Sequence, residues 1–207
     1  MTKNGPRVYP PGTCLYVVLT RTDTLVARAI RFFTGKKFSH VSLSDDCSLD
    51  SMYSFCRDRA AFPLPAHFNE ERPERDVFGM SECVPCEVYR IPINEEQYRI
   101  YRGLIAHFSS NREKYAYSLI GLVAIFFRVE REVTTRFVCS VWVGFMLRAI
   151  GIVPIRDKPL SLYEPEDFRR VPEAFLIYRG NLKGYPRRKD EPSGVGAVRA
   201  PRGGRVA

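Results

Sequence analysis

Two short segments about a hundred residues apart constrain this chain more than any others. Phe38-Ser39-His40-Val41-Ser42-Leu43 puts a histidine at the head of an alternating, strand-like run. Phe137-Val138-Cys139-Ser140-Val141-Trp142 puts a cysteine at the head of a long apolar stretch with helical character. A thiol nucleophile needs a base within reach, and a helix N-terminus favours its thiolate form. The first segment can supply the base and the second the nucleophile. The same helix end carries free N–H groups that suit the oxyanion of a tetrahedral intermediate. Local sequence alone leaves a second reading open, in which Cys139 is a small core residue.

The remaining histidines and cysteines have weaker settings. His107 falls on a predicted helix beside Phe108 and reads as structural or exposed; His67 falls in an irregular, Pro-rich stretch. Cys83-Val84-Pro85-Cys86 is a single CxxC with no second pair at zinc-like spacing, and the residues after it read as a strand. No metal and no cofactor are therefore expected. Cys14, Cys47 and Cys56 have strand or turn surroundings.

At 207 residues, 45% hydrophobic and 27% charged, the chain can build one globular core. The net charge of +9 is unevenly spread: residues 183–207 hold seven Lys/Arg against two acids. That Gly/Pro/Arg-rich segment reads as a disordered basic tail. It predicts a solubilising extension, with an electrostatic tether to nucleic acid or anionic lipid as the alternative. Specific nucleic-acid recognition is not expected. The polar, Pro/Gly-containing residues 1–12 lack the apolar stretch of a secretory signal, which predicts a flexible N-terminus. With six cysteines, that start predicts reduced thiols and a cytoplasmic location. The apolar run 116–127 is too short to span a bilayer and predicts a buried helix.

Periodicity predicts strands at 15–19, 40–44, 51–56, 86–93 and 174–178. It predicts helices after Thr22 or Asp23 (closed by Gly35), after an Asn94 cap, and over 139–150, closed by Gly151. Residues 60–79 read as an irregular rim or lid loop. The sum is α+β, with a folded domain over 13–182.

The order and spacing of several elements resemble the permuted papain-like branch of the NlpC superfamily, the YiiX/YaeF-like amidases. Lecithin:retinol acyltransferase-like proteins are more distantly similar. The matching residues are Phe38-Ser39-His40-Val41-Ser42, Met52-Tyr53-Ser54-Phe55, Tyr115-Ala116-Tyr117-Ser118-Leu119-Ile120-Gly121-Leu122 and Phe137-Val138-Cys139-Ser140. The resemblance covers about 16–178. It implies a circularly permuted papain-like fold, with a small antiparallel, roughly five-stranded barrel-like sheet packed against helices. It implies Cys139 as nucleophile, His40 as general base and a thioester intermediate. His before Cys is the reverse of papain's order.

Relatives carry a carboxylate on the second hairpin strand, where this chain has Ser51-Met52-Tyr53-Ser54. Ser54 is the matching third catalytic member, with Asp50 and Glu71 as alternatives. Cys56 and His67 fall where similar sequences often have glycine. The implied activity is cysteine amidase or peptidase action on a peptide or N-acyl amide. The rivals are thiol-dependent acyl transfer at a membrane surface and a non-catalytic module on the same fold.

Overall fold

The computed structural model describes residues 13–22, 35–57, 66–117, 130 and 136–186. The expected N-terminal segment, the helix after Thr22, the apolar helix over 117–127 and the tail over 183–207 lie wholly or mainly outside the described residues.

Six strands form one antiparallel sheet. They are β1 (Cys14–Thr20), β2 (His40–Ser44), β3 (Met52–Arg57), β4 (Ala66–Glu71), β5 (Pro85–Pro92) and β8 (Phe175–Asn181), in the order β4-β3-β2-β1-β5-β8. A small parallel pair, β6 (Ala116–Tyr117) and β7 (Arg136–Phe137), lies apart. Among the described residues the α-helices are α1 (Asp76–Gly79), α2 (Glu95–Ser110) and α3 (Cys139–Ala149). The α+β class follows directly. The sheet has six strands where roughly five were expected, and among the described residues β4 and β8 are its edges.

β1 reads as a near-continuous apolar run because both of its faces are covered. Leu15, Val17 and Leu19 join Val41, Leu43, Phe55, Phe68, Tyr89 and Ile91 in a core shared with α2 and α3. Tyr16 and Val18 join Met52, Cys86, Val88, Leu49 and Phe78 on the other side. On β2 the same alternation sends Val41 and Leu43 to the first core and leaves His40, Ser42 and Ser44 facing the other way.

Local signals act as their chemistry requires. The Asn94 side chain accepts from the Gln97 N–H, and Gln97 Oε1 accepts from the Asn94 N–H, a reciprocal cap for α2. Tyr101, Ile105 and Phe108 then fall on one buried face of that helix. At the end of α3, Gly151 takes φ +82°. The Ile152 N–H reaches back to the Leu147 carbonyl and the Gly151 N–H to that of Arg148. This closure needs a left-handed residue, which glycine supplies without strain.

Within the expected irregular loop over 60–79, the described residues 66–79 include regular elements. Ala66–Glu71 pairs with β3 in full register, from Met52 opposite Glu71 to Arg57 opposite Ala66, and Asp76–Gly79 forms a helical turn. Phe68 is the residue that docks the strand, since it alone there is buried in the first core.

Gly144 marks the tightest approach to α3. A Cβ at that position stands 2.5 Å from Tyr163 Cδ2 and 2.7 Å from Leu160 Cδ1. Tyr163 cannot yield, because its hydroxyl accepts from Arg148 Nη2 at 2.8 Å and donates to the Ile155 carbonyl at 2.8 Å. Gly144→Ala is therefore expected to destabilise the fold by about 1–3 kcal/mol in urea denaturation. A wild-type midpoint in that variant would remove this account of the packing.

Candidate active site

His40 opens β2, and the backbone before it is clamped. The Ser39 N–H donates to the Thr20 carbonyl at 3.1 Å. Glu166 Oε1 accepts from two successive backbone N–H groups, those of Lys37 and Phe38, at 2.5 and 3.3 Å. Phe38 is buried, with Lys37 Nζ 5.0 Å and Arg169 Cζ 5.1 Å from its ring centroid. Arg169 in turn makes two hydrogen bonds of 2.8 Å to the fully buried Glu87. Glu87 also accepts from the Tyr89 hydroxyl at 2.9 Å and pairs with Arg179 at 2.9 Å. Burial alone raises the Glu87 carboxyl pKa. The hydrogen bonds from Arg169 and Tyr89 overcome that and hold it below the usual range.

Cys139 is the first residue of α3. Val138 stands at the N-cap in extended conformation and makes no side-chain cap. A valine has no acceptor to offer, so its side chain leaves the first-turn N–H groups of this helix uncapped. Phe137 and Trp142, on either side of Cys139, are both buried in the aromatic core. Cys139 as a residue is 8% exposed, and its thiol hydrogen-bonds the His40 imidazole.

The other partner of the imidazole is Glu71, at the end of β4. His40 Nε2 lies 2.9 Å from Glu71 Oε1 and 3.0 Å from Oε2. These contacts, with the Ser42 hydroxyl at 3.2 Å, occupy Nε2. Glu71 is 6% exposed. It also accepts from the Ser42 hydroxyl at 2.5 Å and from the Cys56 thiol. The Phe78 ring lies beside His40, 6.1 Å between centroids.

Burial opposes both charges, yet both are held. Desolvation pulls the imidazole toward its neutral form, but the Glu71 and Cys139 charges and hydrogen bonds raise its pKa to about 10. Desolvation pushes the Glu71 carboxyl up, but His40, Ser42 and Cys56 together lower its pKa. The site is thus a buried ion pair with a thiol on its other side.

Among the expected members, Cys139 and His40 are brought together. Ser54 is not placed to orient the imidazole: it is fully buried and its hydroxyl donates to the Val41 carbonyl at 3.1 Å. Glu71, weighed as an alternative, occupies that position instead. The reason lies in the register, since β4 pairs fully with β3 and carries the carboxylate to the polar side of the sheet. Asp50 lies in the β2–β3 loop, at the far end of β2 from His40, where its N–H donates to Asp46 Oδ2. His67 is on β4 opposite Cys56, and His107 is on α2, its Nε2 2.8 Å from the Tyr115 hydroxyl. Cys83 is exposed, and Cys86 is a buried residue of β5 whose thiol pKa burial raises to about 12. All six cysteines are free thiols. Among the described residues, no group of three or more His, Cys, Asp and Glu is placed to hold a metal ion, and no helix is long and apolar enough to cross a membrane. Comparison with protein-family models and with curated proteins finds no match.

The ion pair has a defined pH window. His40 is raised above its ordinary 6.5, so its contribution to stability is full below that pH and is lost as pH rises through about 10. Glu71 is lowered, so its contribution is present above 4.5 and is lost as acid protonates it. Glu71→Gln is expected to cost the most near pH 5.5, by roughly 5 °C in Tm, and progressively less toward pH 10. A Tm gap that is the same at pH 5.5 and pH 10.5 would count against the pair.

Proposed function

We propose that this chain is a cysteine hydrolase of the circularly permuted papain-like kind, acting on an amide bond of a peptide or N-acyl amine. The observation that carries the reading is one imidazole held between the Cys139 thiol at the head of a helix and the buried Glu71 carboxylate.

The chemistry follows from that arrangement. His40, its pKa raised to about 10, stands beside Cys139 as a charged imidazolium at neutral pH, and the thiolate is the nucleophilic form of a cysteine. The Cys139 sulfur attacks the acyl carbonyl, and the carbonyl electron pair moves to oxygen. The uncapped N–H groups at the start of α3 suit that oxyanion. Collapse of the intermediate breaks the C–N bond, and His40 gives its proton to the departing amine. The thioester is then attacked by water, which loses a proton to the now neutral His40. Release of the acid regenerates thiolate and imidazolium. Glu71 stays ionised throughout, holding the ring and its charge.

One observation favours a variant of this reading. Phe175, Leu176 and Ile177 are exposed in succession on the edge strand β8, with Arg179 two residues on. An apolar edge next to a cation suits an anionic membrane surface. There the same thioester, passed to a lipid amine or hydroxyl, makes the reaction acyl transfer. Flotation with anionic liposomes, lost in a Leu176→Ser/Ile177→Ser variant, supports the variant reading; a wild-type chain that does not float removes it.

The hydrolase reading predicts that Cys139, although buried, reacts with an iodoacetamide probe faster than the exposed Cys83 when sites are mapped by mass spectrometry. Cys139→Ala abolishes turnover of an acyl-amide substrate, and Glu71→Gln lowers it roughly 100-fold. Ser54→Ala stays within about threefold of wild type, as expected for a hydroxyl bonded only to backbone. Turnover falls as pH rises through about 10, where the imidazolium loses the proton its leaving group needs. Slower labelling of Cys139 than of Cys83 would overturn the assignment of the nucleophile.

A further inference from the structure

The polar row on β2, β3 and β4 contains more donors than a three-membered site requires. His40 and Ser42 are two apart on β2, so strand alternation puts both side chains on one face. Glu71 comes from β4, two strands away. Ser42 Oγ donates to Glu71 Oε2 at 2.5 Å and also lies 3.2 Å from His40 Nε2. From the intervening β3, the Cys56 thiol donates to the same carboxylate, and Asn69 Nδ2 lies 3.6 Å from the Cys56 sulfur.

We propose that Ser42 is a positioning residue of this site: its hydroxyl fixes the Glu71 carboxylate against the His40 ring and keeps it ionised. The proposal rests on the reading of Cys139, His40 and Glu71 as the reacting group.

Geometry and burial carry it. Glu71 has two oxygens and is almost sealed from solvent, so it depends on protein donors for its charge. The imidazole approaches both oxygens at nearly equal distance, which by itself leaves the carboxylate free to slide across the ring edge. Ser42 breaks that symmetry by binding Oε2 alone. Ser42 is fully buried, so a lost hydroxyl is not simply replaced by bulk water. A buried carboxylate deprived of one donor is a less stable anion, and a less stable anion holds its imidazolium less firmly.

The groups around His40 leave few other sources for such an effect. Among the described residues, the titratable groups facing it are Glu71 from β4 and Cys139 from α3. Cys56 from β3 acts on it through the carboxylate. From α1 it meets the uncharged Phe78 ring, and its cross-strand partner on β1 is Thr20.

The test reads the imidazole directly. The chain has three histidines. In the full-length protein labelled at histidine Cε1, the NMR signal of His40 is identified by its loss in His40→Gln. Titration from pH 5 to 11 is expected to give a midpoint near 10 for wild type. In Ser42→Ala the midpoint drops by about one unit or more. Thr and Val share a shape and differ in the hydroxyl, so Ser42→Thr retains the high midpoint and Ser42→Val loses it. That pair decides the matter if the alanine variant does not fold. Ser54→Ala, a buried serine on the neighbouring strand, leaves the midpoint in place. Equal midpoints in wild type, Ser42→Ala and Ser42→Val overturn the proposal. This readout is independent of turnover. An inert Cys139 with a shifted midpoint sinks the hydrolase reading alone, and a reactive Cys139 with unshifted midpoints sinks the role of Ser42 alone.

Discussion

The aromatic cluster between sheet and helices is the constraint on which the rest of the molecule depends. Phe55 on β3, Phe68 on β4, Phe108 on α2, Phe137 on β7 and Trp142 on α3 pack with ring centroids 5.1 to 6.2 Å apart. Large apolar rings bury much area and interlock with specific geometry, so they set both the driving force and the orientation of the parts they join. Phe137 and Trp142 bracket Cys139, and Phe68 lies three residues before Glu71. One packing event therefore places the head of α3 and the end of β4 on the same frame. The candidate site sits at its rim.

Charge does the second half of the positioning. Two nearly or fully buried carboxylates, Glu71 and Glu87, each gather donors from separate elements. Glu87 ties β5 to β8 and, through Arg169, to the 3-10 helix Pro165–Arg170. From that helix Glu166 holds the two backbone N–H groups that lead into His40. Glu71 then receives the ring. Removing one partner from either group leaves a buried charge uncompensated, which is why such pairs act as precise positioners even when their net contribution to stability is small.

Much of the frame was legible along the chain. The alternation after His40, the Asn94 cap and the Gly151 stop are local signals, and they operate locally in the fold as well. Cys139 near a helix head was readable for the same reason: the apolar stretch from Phe137 has helical character and is closed by Gly151. β4 was not readable as a strand, because it is an edge strand bounded by charge and proline and buries a single large apolar residue. A signal was nonetheless present. Ala66 and Phe68 alternate with His67 and Asn69, a short period-two stretch that Glu70 breaks.

The sequence by itself determined most of the element types and pointed to two members of the candidate site, since helix caps, strand alternation and residue chemistry depend only on near neighbours. The choice of the third group belonged to tertiary structure. The sequence placed Ser54 first by its position, with Asp50 and Glu71 as alternatives able to supply a carboxylate. What separated them was register: β4 pairs with β3 from Ala66 to Glu71, which brings a carboxylate 31 residues away to 2.9 Å from the imidazole, while Ser54 is spent on the Val41 carbonyl. Pairing between strands is a non-local event, decided by which faces can be buried together, and no reading of neighbours along the chain contains it.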